Sequence, residues 1–331
     1  MTNQHPHLTD NLGASETLTL CFQALLAQHG TETGYAAVNS ALGLSFATAA
    51  SDRGPGPMEW LGLARDARLH AAGDVFGLRM RDLHPVAASS GVDKLPEFGQ
   101  HFVDSYLPLI RRALQHGQSV LARGGWPGDR CYEWGLITAE ADDGLGVVGQ
   151  VAGSEVAMPL VGPASQCYVI EEAMPREPEF DDLLKVALVS AEVLLGDRAE
   201  GPVGMVCGPG AYEVWRRRLL EDMQCTGMDS PSIEAHVMFT RQLIADREAG
   251  ALFLGEACDR LTGVAAERAR EAKAECAATA EAIQSLRVCL TGMPEGKSDE
   301  NEEALVAALR QAAEADERLH DCLAALAGAI G

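Results

Sequence analysis

The sequence of 331 residues lacks long hydrophobic runs, and no stretch of 18 or more apolar residues occurs. A helix needs about 20 such residues to cross the hydrocarbon core of a bilayer, so no membrane-spanning segment is predicted. The polar stretch from Met1 to Ala14 also lacks a basic segment followed by an apolar one, and it does not resemble a signal peptide. Together these absences predict a cytoplasmic protein.

Positive charge is scarce in the chain. It carries 26 lysine and arginine residues against 48 aspartate and glutamate residues, a formal net charge of −22. Because lysine and arginine must neutralise phosphates for nucleic acid to bind, and because anionic membrane surfaces attract basic segments, the composition argues against both partners. A small molecule or a peptide is the kind of partner compatible with this charge.

Closely spaced cysteines are also lacking. The chain has nine cysteines, and no two of them lie within four residues of each other. This excludes the Cys-x-x-Cys pairs of structural zinc sites and redox motifs, and the sequence predicts neither a metal site nor a cofactor from them. Without a signal peptide, scattered thiols are expected to stay reduced and mostly to fill the core.

The hydrophobic spacing changes along the chain. Helical spacing is found at 18–29 and 102–116, whereas the segments between 119 and 171 alternate like short strands separated by glycine-rich turns. Four strands are predicted in this region, at residues 119–122, 134–139, 146–151 and 166–171, and an earlier one at 75–80. Helices followed by antiparallel strands predict an α+β class.

A proline-rich segment at 174–178 marks a predicted domain boundary. Helical spacing dominates after it, in five predicted helices at 180–195, 211–223, 234–257, 260–290 and 302–330. We therefore expect a flexible tail at 1–14, an α+β domain at 15–173 and an all-helical domain at 178–331.

Cys21 is the most suggestive single residue for chemistry. It lies one turn inside the first predicted helix, where the positive end of the helix dipole stabilises a thiolate. Cysteine acyl-transfer enzymes use this placement together with a histidine base. The alternative is a core residue, because Cys21 lies between Leu20 and Phe22 on an apolar helix.

The order of several segments adds a family resemblance. A cysteine-bearing helix, LTLCFQALLAQHG, precedes GYAAVNSALGLSFATA, a helix ending in LIRRALQHGQSVLAR, and the segment EWGLITAEADDGLGVVG. In this order they resemble the papain-like fold of bacteriocin-processing double-glycine peptidases, and they are most similar to the butirosin biosynthesis protein H-like family. The later segment GPGAYEVWRRRL resembles the helical extension of such proteins. The resemblance implies a papain-like cysteine-peptidase-type domain followed by an all-helical domain, with Cys21 as nucleophile.

The sequence departs from this family at the expected histidine. The resemblance implies a histidine followed by an aromatic residue at the start of a central strand, and here Glu133 and Trp134 occupy those two places. A carboxylate beside a thiol disfavours the thiolate that an imidazolium would stabilise. A histidine from elsewhere would have to replace it, and the candidates are His70, His84, His101 and His116.

The loop GGWPGDRCYEW offers further candidate groups. Cys131 and Glu133 are two apart and face the same side of a strand, so they could share a cleft with Cys21. Two thiols and a carboxylate suit a soft metal, but without an imidazole or a spacing motif no metal site is predicted. Trp126 and Trp134 flank the same loop and are candidate binding groups, with aromatic packing under the loop as the alternative.

Two functions from different classes are therefore expected. In the first, Cys21 carries out acyl transfer or amide or thioester hydrolysis on a small molecule or peptide, with Glu133 in place of the histidine. In the second, the protein is catalytically inactive and binds a ligand or partner through the same fold. The long alanine-rich helices at 260–330 are predicted to support a homodimer in either case.

Overall fold

The computed structural model describes residues 16–51, 54–55, 67–83, 97–130, 133–142, 144, 146–154, 156–174, 176–195, 205–226, 231–292 and 299–331. It confirms the α+β class, with an antiparallel sheet and a helical C-terminal region. The predicted tail at 1–14 lies outside the described residues. None of the helices within the described ranges is long and apolar enough to cross a membrane.

The chain folds into two compact units. Unit 1 contains Thr17–Val38 and Ala64–Glu179, and unit 2 contains Asn39–Leu63 and Phe180–Gly331. The boundary near residue 179 lies close to the one expected from the proline-rich segment. The segment 39–63, expected within the first domain, belongs to unit 2, because its strand pairs with a strand at 205–207.

Unit 1 is built around a sheet of six antiparallel strands in the order β3-β8-β4-β5-β6-β7. Its strands are β3 (Leu78–Asp82), β4 (Val120–Arg123), β5 (Trp134–Glu140), β6 (Val147–Val151), β7 (Met158–Pro159) and β8 (Gln166–Ala173). Its helices are α1 (Thr17–Gln28), α3 (Ala67–Val75), α4 (Phe98–His101) and α5 (Leu107–Gln115), and a π-helical turn (Phe102–Tyr106) joins the last two. α2 (Tyr35–Ala41) contains the division between the units.

The two faces of this sheet bury different sets of side chains. Alternation places Ala122, Ile137 and Cys167 on one face, where they pack with Phe98 and Ile110. The other face carries the buried side chains of Leu121, Trp134, Leu136 and Tyr168, which lie on β4, β5 and β8. Helix α1 packs against β4 and β5.

Unit 2 combines helices with a small sheet. The helices are α6 (Phe180–Leu195), α7 (Gly210–Thr226), α8 (Pro231–Arg260), α9 (Gly263–Gly292) and α10 (Asp299–Ile330). The sheet has the order β2-β1-β9, with β1 (Ala49–Ser51), β2 (Gly54–Pro55) and β9 (Met205–Cys207). A 3-10 turn, Leu44–Phe46, precedes β1. Gly43 just before it has φ 78°, and a Cβ there would lie 2.8 Å from Ser190, so the turn requires glycine.

The three longest helices confirm the helical spacing of the C-terminal sequence. α9 packs against both α8 and α10. Only two residues separate α8 from α9, a connection that makes neighbouring helices antiparallel. On α9, buried residues recur every three or four positions, which is the stripe expected of a helix packed along its whole length. They include Ala269, Ala272, Cys276, Thr279, Ile283, Leu286 and Leu290.

Candidate functional site

Cys21 lies in the second turn of α1 and is wholly buried, with 0% of its surface exposed. Its neighbours Leu18, Phe22 and Leu25 on the same helix are also 0% exposed, and the ring of Phe22 lies 6.3 Å from that of Phe76. The thiol thus belongs to the core of unit 1. A thiol without solvent access cannot meet a substrate in the conformation described.

Glu133, at the position expected for the histidine, is engaged with Arg130. The guanidinium of Arg130 lies 3.2 Å from the Glu133 carboxylate and also donates to the carbonyl oxygen of Ala152 at 2.6 Å. The backbone carbonyl of Glu133 accepts from the Gly124 amide at 3.0 Å. These bonds fix the turn between β4 and β5, a structural role for the residue. The neighbouring candidate, Cys131, lies outside the described residues.

The two tryptophans of the same loop are core residues. Trp126 is 1% exposed, and its ring lies against Gly135, where an added Cβ would come within 2.4 Å of it. Trp134 is 0% exposed, its ring lies 6.3 Å from that of Tyr168, and its backbone amide donates to Thr17 Oγ1 at 3.0 Å. Trp134 thereby ties the start of β5 to the start of α1.

Some buried polar atoms of unit 1 lack partners. Within the described part of the chain, the indole nitrogen of Trp134 and both amide atoms of Gln166 make no hydrogen bond, although both residues are 0% exposed. Trp134 and Gln166 are each paired with Arg123 of the intervening strand, so their side chains lie on the same face of the sheet. Each unmade bond costs about 1–3 kcal/mol.

Three of the histidines considered as bases lie within the described residues and contact other side chains or the backbone. The ring of His70 lies edge-on to Tyr168 at 6.2 Å, and that of His101 lies 5.0 Å from Tyr106. His116 is exposed and lies 2.6 Å from the carbonyl oxygen of Arg112. His84 lies outside the described residues. Among the residues that the structure describes, no group of three or more histidine, cysteine, aspartate or glutamate side chains is arranged to hold a metal ion.

Unit 2 contains a buried ionic centre that the sequence did not reveal. The side chains of Arg247 on α8 and Asp316 on α10 are both 0% exposed, and they form two hydrogen bonds, of 2.9 and 3.1 Å. Arg247 also donates to the carbonyl oxygens of Ser45 and Ala47, each at 3.0 Å, and to Thr48 Oγ1 at 2.6 Å. The guanidinium therefore joins α8 and α10 to the segment that leads into β1.

The carboxylate of Asp316 is equally well satisfied. It accepts hydrogen bonds from Thr48 Oγ1 at 2.6 Å and from the phenol of Tyr212 at 2.8 Å. Burial and the charge of Asp316 raise the pKa of Tyr212 well above its ordinary value. Burial lowers the pKa of Arg247, but the charge of Asp316, its hydrogen bond and the neighbouring Tyr212 together outweigh burial and raise the pKa above its ordinary value, so the guanidinium keeps its charge. Burial likewise raises the pKa of the neighbouring Cys276 thiol to about 12.

A second buried cluster in unit 2 centres on His236. The indole of Trp215 donates to His236 Nδ1 at 3.0 Å, and His236 Nε2 lies 3.0 Å from Asp222 Oδ2. An indole N–H can only donate, so Nδ1 is an acceptor and the single ring proton is on Nε2. Burial lowers the pKa of His236 despite the opposing effect of Asp222, which agrees with a neutral ring.

A surface cleft of unit 2 lies between α7 and α10. Its volume is about 370 Å³, and its walls include Tyr212, Arg216, Leu309 and Arg310. A second cleft of about 400 Å³ adjoins it, shares Val306 and Arg310, and adds Glu302 and Glu303. No site is predicted here from the sequence, because the lining residues come from two helices about 90 positions apart.

Comparison with known protein families and with curated proteins finds no match to this chain in either.

Proposed function

We propose that the protein is a binding module built on a papain-like arrangement that does not carry out cysteine catalysis. The observation that carries this proposal is the complete burial of Cys21. Nucleophilic catalysis requires a thiolate that a substrate can reach, and burial disfavours both access and ionisation. Cys21 therefore contributes to the packing of α1.

The surroundings of Glu133 support the same proposal. An enzyme of the resembled family requires a base near its thiol, and Glu133 occupies the corresponding place in the sequence. Its carboxylate forms an ion pair with Arg130 at 3.2 Å, which fixes the side chain in the turn. The residue thus serves the structure of the hairpin.

The competing proposal retains Cys21 as the nucleophile of an acyltransferase or hydrolase. One observation favours it: the helix that bears Cys21 packs on β5, and β5 begins at Trp134, the aromatic residue of the resemblance. In that case α1 or its surroundings must move before the thiol can react. The two proposals therefore differ in whether the native protein exposes Cys21.

Peptide-resolved labelling with iodoacetamide between pH 5 and pH 9 tests this difference. Cys258, Cys289 and Cys322 are half-buried in the native structure and serve as internal references. We expect these thiols to label and Cys21 to stay unlabelled until the protein is unfolded. A Cys21→Ala variant confirms the assignment of the labelled peptide. An ordinary thiol has a pKa of about 8.5. Rapid labelling of Cys21 well below that pH would overturn the proposal in favour of the enzyme.

The homodimer expected from the C-terminal helices stays a prediction. α9 carries two exposed apolar side chains, Val264 and Val288, which are 62% and 57% exposed. Sedimentation velocity of the wild type and of a Val264→Glu, Val288→Glu variant measures whether α9 joins two copies. A dimer that dissociates on substitution would confirm it, and a monomeric wild type would contradict it.

A further inference from the structure

The C-terminal segment of α7 (residues 215–226) is joined to the start of α8 through one buried histidine. The indole of Trp215 donates to His236 Nδ1 at 3.0 Å, and Asp222 Oδ2 lies 3.0 Å from His236 Nε2. We infer that this contact is a pH-sensitive switch: protonation of His236 breaks its bond to Trp215 and releases the C-terminal segment of α7 from α8, while the rest of unit 2 stays folded. The inference does not depend on Cys21, on which the proposed function rests.

The pocket around His236 accommodates a ring with one proton only. Nδ1 faces the indole N–H of Trp215, which can only donate, so the neutral ring carries its proton on Nε2. A second proton on Nδ1 would put two donors 3.0 Å apart. The side chain of His236 is 1% exposed, so water cannot accept either hydrogen in this arrangement. A charged ring therefore loses its contact with Trp215.

The carboxylate of Asp222 favours a charged ring, but it is already shared with a cation. Arg218 Nε donates to Asp222 Oδ2 at 3.1 Å, and another nitrogen of the same guanidinium lies 2.7 Å from Oδ1. Protonation of the ring would place a second cation on a carboxylate whose charge is already matched. Burial opposes the charged ring further, and the pKa of His236 lies below its ordinary value.

The charged groups around the ring come from three helices. On α7 they are Asp222 and Arg218, whose charges act on the ring. On α8 itself the nearest in sequence are Glu234 and Arg241, which are exposed. Because α9 packs antiparallel to α8, its charged residue at the level of the ring is Arg287, which has the same sign as an imidazolium. Asp222 is thus the buried group that favours protonation, and Arg218 neutralises it.

The start of α7 is held independently of the histidine. The phenol of Tyr212 donates to Asp316 at 2.8 Å, and the raised pKa of Tyr212 means that it keeps its proton between pH 5 and pH 7. The C-terminal segment contacts α8 through Trp215 and Asp222, and the ring of Trp215 also lies edge-on to that of Phe239 at 4.8 Å. Its release therefore leaves the buried ionic centre of unit 2 intact.

The pKa of the released histidine sets the size of the effect. Once exposed, the ring has its ordinary pKa of 6.5, whereas the buried ring excludes the second proton. The equilibrium constant for release is level above about pH 7.5 and rises as the pH falls through the ordinary pKa. Between pH 7 and pH 5 it should grow about 25-fold.

Amide hydrogen exchange of the full-length protein tests the inference, resolved by peptide at pH 7, 6 and 5 and corrected for the intrinsic exchange rate at each pH. We expect the protection factors of residues 215–226 to fall about 25-fold between pH 7 and pH 5. Low concentrations of urea should change them little, because a local opening exposes little surface. Amides of α9 should exchange more slowly at each pH and depend more steeply on urea, since they require global unfolding.

A glutamine variant assigns the effect to protonation of the ring. His236→Gln keeps both bonds, since its carbonyl oxygen can accept from Trp215 and its amide can donate to Asp222, but it cannot take up a proton. Its protection factors at 215–226 should stay constant from pH 7 to pH 5. His320→Gln is the matched control, because His320 is a partly exposed histidine of α10 in the same unit, and this variant should behave like the wild type.

A second variant tests the cause of the release. Trp215→Phe keeps an aromatic ring beside Phe239 but removes the indole donor, so a proton on His236 Nδ1 meets no opposing N–H. Its protection factors should fall less between pH 7 and pH 5 than those of the wild type. If His236→Gln does not fold, Trp215→Phe decides the question, and a fall equal to that of the wild type contradicts the inference.

The remaining outcomes separate a local switch from general acid sensitivity. Constant protection in the wild type overturns the inference, and so does a fall that α9 shares with the same dependence on urea, because the effect would then be absent or global. A fall that His236→Gln retains also overturns it, since a carboxylate would be the source. The reactivity of Cys21 is measured separately and decides only the proposed function.

Discussion

The two units bury polar groups in contrasting ways. In unit 2, Arg247 and Asp316 are removed from water, yet the guanidinium makes five hydrogen bonds and the carboxylate accepts from Thr48 and Tyr212 as well. In unit 1, Gln166 is equally buried, but among the described residues neither of its amide atoms has a partner. A buried polar group stabilises a fold only when its bonds are made.

Buried polar groups with all their hydrogen bonds made can specify how helices and strands are arranged, whereas a buried group without partners cannot. The centre of unit 2 specifies one arrangement of α8, α10 and the segment before β1, because any displacement leaves a charge without a partner. Gln166 specifies nothing of this kind. Unit 1 is instead held by apolar packing on the two faces of its sheet.

The largest effect is expected from breaking the ionic centre. Asp316→Ala leaves the charge of Arg247 buried and removes the acceptor of Tyr212, which should lower the free energy of unfolding by about 3–5 kcal/mol. Urea denaturation followed by circular dichroism measures it. Glu317→Ala, one position along the same helix and exposed, is the control and should change stability by less than about 0.5 kcal/mol.

A double variant sharpens this result. Replacing both charges, with Arg247→Met and Asp316→Leu, removes the unpaired charge along with the pair, so its loss of stability should be smaller than that of Asp316→Ala alone. If the single variant costs less than about 1 kcal/mol, the centre is not the determinant of unit 2 that its geometry indicates.

A gain of stability is expected in unit 1. Gln166→Leu replaces an amide without partners by an apolar side chain of similar size, and should raise the free energy of unfolding by about 1–2 kcal/mol. Gln166→Glu is the matched opposite, since it places a charge in the same buried position and should destabilise. Loss of stability in Gln166→Leu would show that the amide is in fact bonded, for example to an ordered water.

Lowering the pH is expected to have a smaller effect on stability, through His236. The folded pKa of His236 lies below its ordinary value of 6.5, so below about pH 6.5 the unfolded chain binds a proton that the folded protein excludes. Stability should therefore fall as the pH is lowered from 7 to 5. Arg218 opposes protonation of the ring, whereas Asp222 favours it.

The histidine contribution is measured by difference. Urea midpoints of the wild type and of His236→Gln at several pH values isolate it from the carboxylates that also titrate in acid. Between pH 7 and pH 5, the free energy of unfolding of His236→Gln should fall less than that of the wild type. Curves that stay parallel over this range would show that His236 is not the source of the decline.

Much of the fold could be predicted from sequence because its elements have strong local patterns. The helix at 180–195 was predicted with the bounds that the structure shows, and the strand at 134–139 is one residue short of β5. The strand pair β1 and β9 was missed. Each is three residues long, and β9 follows a glycine-rich stretch that favours a loop. Their pairing depends on tertiary contact alone.

The candidate site was harder to predict for a physical reason. Cys21 was recognised by type and by its place on a helix, but its exposure depends on what packs over α1, which the local sequence does not encode. The ionic centre gave no sequence signal, because its members are up to 268 residues apart. Charged residues in helical sequences usually face solvent, so Arg247 and Asp316 resembled many others.

The hydrogen bond between Thr48 and Arg247 has a consequence for how the protein is made. The two residues are separated by 199 positions. At about 5–20 residues per second on a ribosome, the early segment waits roughly 10–40 s for its partner to be synthesised. During that time the apolar residues around Thr48 have no core to enter, so this segment is exposed to aggregation until unit 2 is complete. Expression of residues 178–331 alone should fail for the same reason, since it omits the strand that completes unit 2.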